Sequence, residues 1–241
     1  MKRNLFTINI LVLLLLLVTL NPGCRGKLND ASEHYDIAVL HLRQGRVDDA
    51  IEEYKKAISI YPDFEMAHFN LGCVYYRKGD TGLAIESFKR AVEIKPDLIE
   101  ARLNLGAAYE NYNMFNDAIE EHKKILELNP NLPEPHTNIG NIYYKMEMYE
   151  EAIDEYKKAI KIKPDFAEAY NNLGFVYYEI GKYSFAINEY KKAIELKQDY
   201  ISAHNNLGMA YRKVGLLEKA KKESEIVNSL VKKNRRPKTT F

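Results

Sequence analysis

Apolar residues recur along this chain with helical spacing, and the pattern returns every 34 residues. In residues 167–180, Ala169, Leu173, Val176, Tyr177 and Ile180 stand four, three, one and three apart, which places them on one stripe of a helix. Polar residues fill the other faces. A second amphipathic stretch follows each such helix, with Ala at two close-packing positions, as at Ala152 and Ala159. At the fifteenth place of the unit stand Gly45, Gly79, Gly181 and Gly215, with Asn113 in the third unit. Both residue types accept the left-handed conformation that ends a helix, so this place is read as the turn between two helices. Glu147 holds it in the fourth unit, where a differently built turn is expected. Pro62, Pro96, Pro130 and Pro164 close their units. Asp97 with Glu100, Asn131 with Glu134, and Asp165 with Glu168 read as capping boxes opening the next helix. On the exposed face, Glu52–Lys56, Glu86–Arg90, Glu120–Lys124 and Asp154–Lys158 are spaced for i, i+4 ion pairs, each worth a few tenths of a kcal/mol.

The register runs without a gap as 31–64, 65–98, 99–132, 133–166, 167–200 and 201–234. Six helix–turn–helix units make an all-α chain. Residues 1–23 stand outside it as a signal peptide or membrane anchor, 24–30 as a short linker, and 235–241 as a basic tail.

The pattern closely resembles the tetratricopeptide repeat. In 65–98 the family's signature positions are Leu71, Gly72, Tyr75, Ala84, Phe88, Ala91 and Pro96; in 133–166 they are Ile139, Gly140, Tyr143, Ala152, Tyr156, Ala159 and Pro164. The resemblance implies a right-handed α-solenoid superhelix of six repeats whose first helices line a concave wall. Three departures stand out. The fourth place, a large aromatic in the family, holds His34, His68, Arg102, His136, Tyr170 and His204. The first unit has Ala38 in place of the Gly. The second helix of the last unit is polar and has Ser224 in place of the aromatic, as expected of a capping helix.

The chain opens with a basic "MKRN", an apolar run richest from Ile10 to Leu20, and "NPGC". This is the build of an export signal, with an apolar run short for a spanning helix. With Cys24 directly after Gly23 it resembles a bacterial lipoprotein signal, which would make Cys24 the lipidation site and place the protein in the cell envelope, tethered to a membrane through its N-terminus and facing the periplasm. Asn21 and Pro22 depart from that family's usual residues before the Cys. An uncleaved anchor, or cleavage and release, are the alternatives.

Composition narrows the function. Apolar residues make up 46% and charged residues 29%. The net charge of +1 hides basic ends: outside them, 24–231 carries 28 basic against 34 acidic residues. That body does not suit nucleic acid. Two cysteines, Cys24 and Cys73, allow no disulfide framework or paired-Cys metal motif. The fourth-place histidines are a repeat apart, whereas neighbouring helices sit about 8–10 Å apart and zinc ligands about 2 Å from their ion. They are read as wall residues. With no metal site, cofactor or catalytic constellation expected, the chain reads as a non-enzyme.

The unexplained feature is Asn at the sixth place five times: Asn70, Asn104, Asn138, Asn172 and Asn206. This place lies roughly 80° around the helix from the core stripe, at 100° per residue. An amide offers both a donor and an acceptor, so such a row can pair with a peptide backbone of any sequence. It resembles the asparagine ladder of O-linked N-acetylglucosamine transferases, although no transferase domain follows. A structural role, bonding to a neighbouring helix, is the alternative. Tyr76, Tyr144 and Tyr178 at the twelfth place, with Asn141 and Phe175 at the ninth, would add contact area. Glu100, Glu134 and Glu168 would favour a basic partner segment. The basic clamp of chaperone-binding relatives is missing. The expected function is a membrane-tethered interaction scaffold or assembly factor that binds an extended peptide. In its architecture the chain is similar to the pilotin lipoproteins of type IV pili. A self-association module and a non-catalytic subunit of an envelope enzyme complex are the alternatives.

Overall fold

A computed structural model describes the backbone of residues 22–235 and the side chains of residues 26–233. The described residues form twelve α-helices: α1 Pro22–Arg43, α2 Val47–Ile60, α3 Glu65–Lys78, α4 Thr81–Ile94, α5 Ile99–Asn111, α6 Phe115–Leu128, α7 Pro133–Lys145, α8 Tyr149–Ile162, α9 Ala167–Glu179, α10 Tyr183–Leu196, α11 Ile201–Lys213 and α12 Leu217–Arg235. They fall into two compact units, one ending at Tyr112 and the other beginning at Asn113. Within each unit, every helix packs on its neighbours in sequence, α1 on α2 through α4 on α5, and α6 on α7 through α11 on α12. This is the packing of an all-α solenoid. From α3 onward the first helices begin at Glu65, Ile99, Pro133, Ala167 and Ile201, one every 34 residues.

The core of a repeat is a close approach of two helices over one aromatic ring. Phe88, Tyr156 and Tyr190 are almost wholly buried on the second helices. Gly72, Gly140 and Gly174 face them from the first helices. A Cβ there would stand 2.6, 2.8 and 2.9 Å from the opposing ring. Hydrogen in place of a methyl group therefore lets the ring lie flat against the backbone. Ala84, Ala91, Ala152, Ala159, Ala186 and Ala193, all fully buried, let the second helices settle equally close. At Gly208 the ring is missing, and the nearest atom is Glu223 Cβ at 3.5 Å.

Several local expectations are corrected. Residues 24–30 are not a linker; they are early turns of α1, which runs unbroken from Pro22. Proline suits a helix start, where its missing N–H has no partner to lose. The proposed capping boxes do not form. The helices begin one residue later, at caps Leu98, Leu132 and Phe166, with no side-chain bond to the cap. Glu147 does not change its turn: it takes φ 60°, the same left-handed conformation as Asn113 at 59° and the glycines at 75–91°. Of the four i, i+4 pairs only Glu120–Lys124 closes, at 2.9 Å. Lys56 and Lys158 turn instead to Glu53 and Glu155, three residues back.

Residues 1–21 of the expected signal or anchor (1–23) and residues 236–241 of the expected tail (235–241) lie outside the described residues. Cys24 falls in the first turn of α1, where only the backbone is described. Among the described residues no helix is long and apolar enough to cross a membrane.

Candidate peptide-binding face

The sixth-place asparagines are all half-buried on first helices, but they do not share one bonding pattern. In the first unit, Asn70 Nδ2 donates to the Tyr35 hydroxyl at 2.6 Å, one repeat back. Asn104 Nδ2 donates to the Glu100 carbonyl of its own helix at 2.7 Å. In the second unit, Asn172 Nδ2 donates to Asn141 Oδ1 at 3.0 Å and Asn206 Nδ2 to Asn171 Oδ1 at 3.0 Å, again one repeat back. Asn171 Nδ2 reaches Asn172 Oδ1 at 3.3 Å, which joins the two links into one amide chain. Among the described residues the Asn138 side chain makes no hydrogen bond.

Part of the amide capacity is thus spent on holding repeats together. Each carboxamide has two N–H groups and an acceptor oxygen. One bond back to the preceding repeat orients it while leaving further positions for a guest.

The predicted aromatic residues divide in the same way. Tyr144 packs edge-on against Phe175, with ring centroids 5.4 Å apart, and against Tyr149 at 6.1 Å. Tyr178 packs edge-on against Tyr183 at 5.4 Å. These contacts fix half-buried rings on α7 and α9, and burial, with Glu179 nearby, pushes the Tyr144 phenol above its ordinary value. Asn141, predicted as a groove residue, works on both sides of its helix. Its Oδ1 accepts from the buried Tyr156 hydroxyl at 2.7 Å as well as from Asn172. Tyr76, in the first unit, accepts from the Asn111 amide.

The fourth-place histidines have a specific duty that sequence reasoning missed. His34, His136 and His204 each present Nδ1 at 2.6 Å to a glutamate of the partner helix, namely Glu53, Glu155 and Glu223. A carboxylate only accepts, so Nδ1 carries the proton. His204 and His68 also reach the backbone oxygens of Gln198 and Pro62, at 3.0 and 2.9 Å. Arg102 does the same to Pro96 at 2.6 Å. In the second, third and sixth repeats the fourth place thus ties a first helix to the turn before it. The signal was a His and a Glu recurring 19 residues apart.

The profile of the TPR repeat family matches residues 40–79, 74–111, 140–181 and 176–215, more than half of the chain. The chain is a tetratricopeptide-repeat protein. Solved tetratricopeptide structures agree. One of MamA is 32% identical over 68% of this chain and 96% of its own, with a TM-score of 0.60. PilW, a widely conserved type IV pilus biogenesis factor, matches 83% of this chain and 92% of its own at 19% identity and a TM-score of 0.68. YrrB, described as a TPR protein with an unusual peptide-binding site, matches 73% and 91% at 18% identity and 0.54. At these lower identities the likeness is one of fold. A comparison with curated proteins returns no match. Tetratricopeptide proteins bind protein or peptide partners.

Proposed function

We propose that this protein is a non-catalytic scaffold that holds an extended peptide segment of a protein partner on its first-helix face. The observation that carries the reading is the linked amide chain Asn141–Asn172–Asn171–Asn206, beside the packed rings of Tyr144 and Phe175. Oriented amides recognise backbone without reading sequence, and fixed rings add apolar contact at low entropic cost. Asn138 contributes an amide with no bond of its own, and Asn70 and Asn104 repeat the chemistry in the first unit. Exposed Glu134 and Glu168 favour a basic partner segment. Each net hydrogen bond adds about 1 kcal/mol and ordering costs subtract from the sum, so the grip is weak and sequence-tolerant, micromolar at best. The peptide-binding site named for YrrB supports the reading at the level of the fold. Export and tethering through Cys24 would put this activity at an envelope membrane, where the protein would hold a segment of an envelope protein for assembly.

The test is a paired pull-down from detergent-solubilised envelope. One bait is residues 27–241, and the other carries Asn138→Ala, Asn172→Ala and Asn206→Ala, first matched for helicity and melting. A partner captured by the parent and lost with the triple change supports the peptide face. Equal capture by both baits refutes it.

A further inference from the structure

The fourth and twenty-third places of a repeat face each other across the helix pair. In the first, fourth and sixth repeats a histidine ring stands 2.6 Å from a glutamate there. In the first and fourth the second carboxylate oxygen is also taken, by Lys56 at 2.7 Å and Lys158 at 2.6 Å. Glu53 and Glu155 are therefore clamped between two cationic or N–H donors.

The fifth repeat breaks both halves of this clamp. Tyr170 stands where the histidine would be. Lys192, which corresponds to Lys56 and Lys158, pairs instead with Glu195 at 2.9 Å. Glu189 keeps the carboxylate, half-buried, and among the described residues it makes no hydrogen bond or ion pair. Lys157, exposed on α8, acts on it only in part: burial prevails and pushes the Glu189 carboxyl above its ordinary value. A carboxylate withdrawn from water without a partner is destabilising, and a cation brought to it removes the penalty.

We propose that Glu189 and Tyr170 form a receptor slot for an arginine side chain of a bound protein. Neither carboxylate oxygen is taken by a hydrogen bond or ion pair among the described residues, and two free acceptors match the two parallel N–H groups of a guanidinium. Tyr170, at the fourth place of the same repeat, brings an aromatic ring to the position that faces the carboxylate in the other repeats, and aromatic rings attract planar cations. A lysine ammonium is a point charge and would satisfy one oxygen at a time. The slot uses the fourth and twenty-third places rather than the sixth, so it does not depend on the amide face.

The test titrates N-acetyl-arginine amide into the full chain with its glutamate side-chain carboxyls labelled with carbon-13. N-acetyl-citrulline amide, the neutral isostere, and N-acetyl-lysine amide run in parallel. The expected result is a saturable shift of the Glu189 carboxyl with arginine, smaller with lysine and lost with citrulline. Glu189→Gln abolishes the response at this site while the protein stays folded. Tyr170→His refills the slot from within, as in the other repeats, so it raises the melting temperature and weakens the arginine response several-fold. The proposal is overturned if arginine leaves Glu189 unshifted, or if citrulline shifts it equally. It is also overturned if lysine matches arginine, or if Tyr170→His changes neither melting nor response.

Discussion

The Tyr156 hydroxyl donates to Asn141 Oδ1 at 2.7 Å, whereas the Tyr190 hydroxyl, one repeat later, is buried with no partner. The cause is the ninth place. Asn141 supplies an acceptor to Tyr156, and Phe175 supplies none to Tyr190. Tyr156→Phe should therefore cost about 1 kcal/mol, and Tyr190→Phe should be neutral or stabilising. Urea unfolding of both variants checks this, and equal losses would contradict it.

Small-to-large substitutions at the eighth place should split by repeat. Gly140→Ala and Gly174→Ala drive a Cβ into the ring of Tyr156 or Tyr190 and should cost about 1–3 kcal/mol. Gly208→Ala meets nothing closer than 3.5 Å and should gain up to about 1 kcal/mol from helix propensity. Thermal melts ordered the other way would show that the rings do not set the helix spacing.

Glu147 holds φ 60° in a turn where four other repeats use glycine. Glu147→Gly should stabilise the protein by about 1 kcal/mol, and Gly181→Ala should destabilise it by a similar amount. A melting temperature that falls for Glu147→Gly would mean that its side chain compensates the backbone cost.

Stability should fall in two stages on acidification. Burial holds His68 below its ordinary value of 6.5, so the folded state favours the neutral ring. That contribution is present above pH 6.5 and is lost as pH falls through the folded value. Bonds from Lys56 and then His34 hold the Glu53 carboxyl below 4.5. Its contribution is present above pH 4.5 and is lost at lower pH. In urea titrations His68→Gln should flatten the upper stage and Glu53→Gln the lower. Unchanged profiles would exclude these two groups as the cause.

At high pH the buried phenols act in the other direction. Burial pushes Tyr54 up to about 12 and raises Tyr190 as well, while their unfolded value is 10.0. Stability is complete below pH 10 and is lost as pH rises through the folded value. Tyrosinate absorbance should show a late fraction that ionises together with loss of helicity. Ionisation of all tyrosines before any helix is lost would contradict this.

The 34-residue period and the all-helical fold were legible because packing forces them. A Leu-Gly pair opposite an aromatic leaves little else for those positions to do. Glu147 was misread because the turn is imposed by the helices on either side, and a non-glycine residue tolerates the strained φ. The capping boxes failed for a similar reason: the helices start one residue later than the cap pattern implied. The side-chain choices were hidden from linear spacing. Lys158 bonds Glu155 rather than Asp154 because His136 already fixes Glu155 at the helix junction. The asparagine row was visible as a row. Which amide bonds a tyrosine, another amide or its own helix depends on the ninth and fifth places of the preceding repeat.

The bonds from Asn70 to Tyr35, Asn172 to Asn141 and Asn206 to Asn171 all run from a later repeat to an earlier one. The seams therefore have a direction. Trimming repeats from the C-terminal side removes donors and leaves acceptor oxygens for water to satisfy. Trimming from the N-terminal side removes the acceptors and strands N–H groups at a freshly cut, half-apolar end. The same asymmetry limits how such an array can lengthen. A duplicated repeat keeps this seam bond only where its predecessor presents a hydroxyl or carboxamide oxygen at the fifth or ninth place; Asn104, preceded there by Phe69 and Cys73, turns to its own helix instead, so moving a repeat changes which seams are tied.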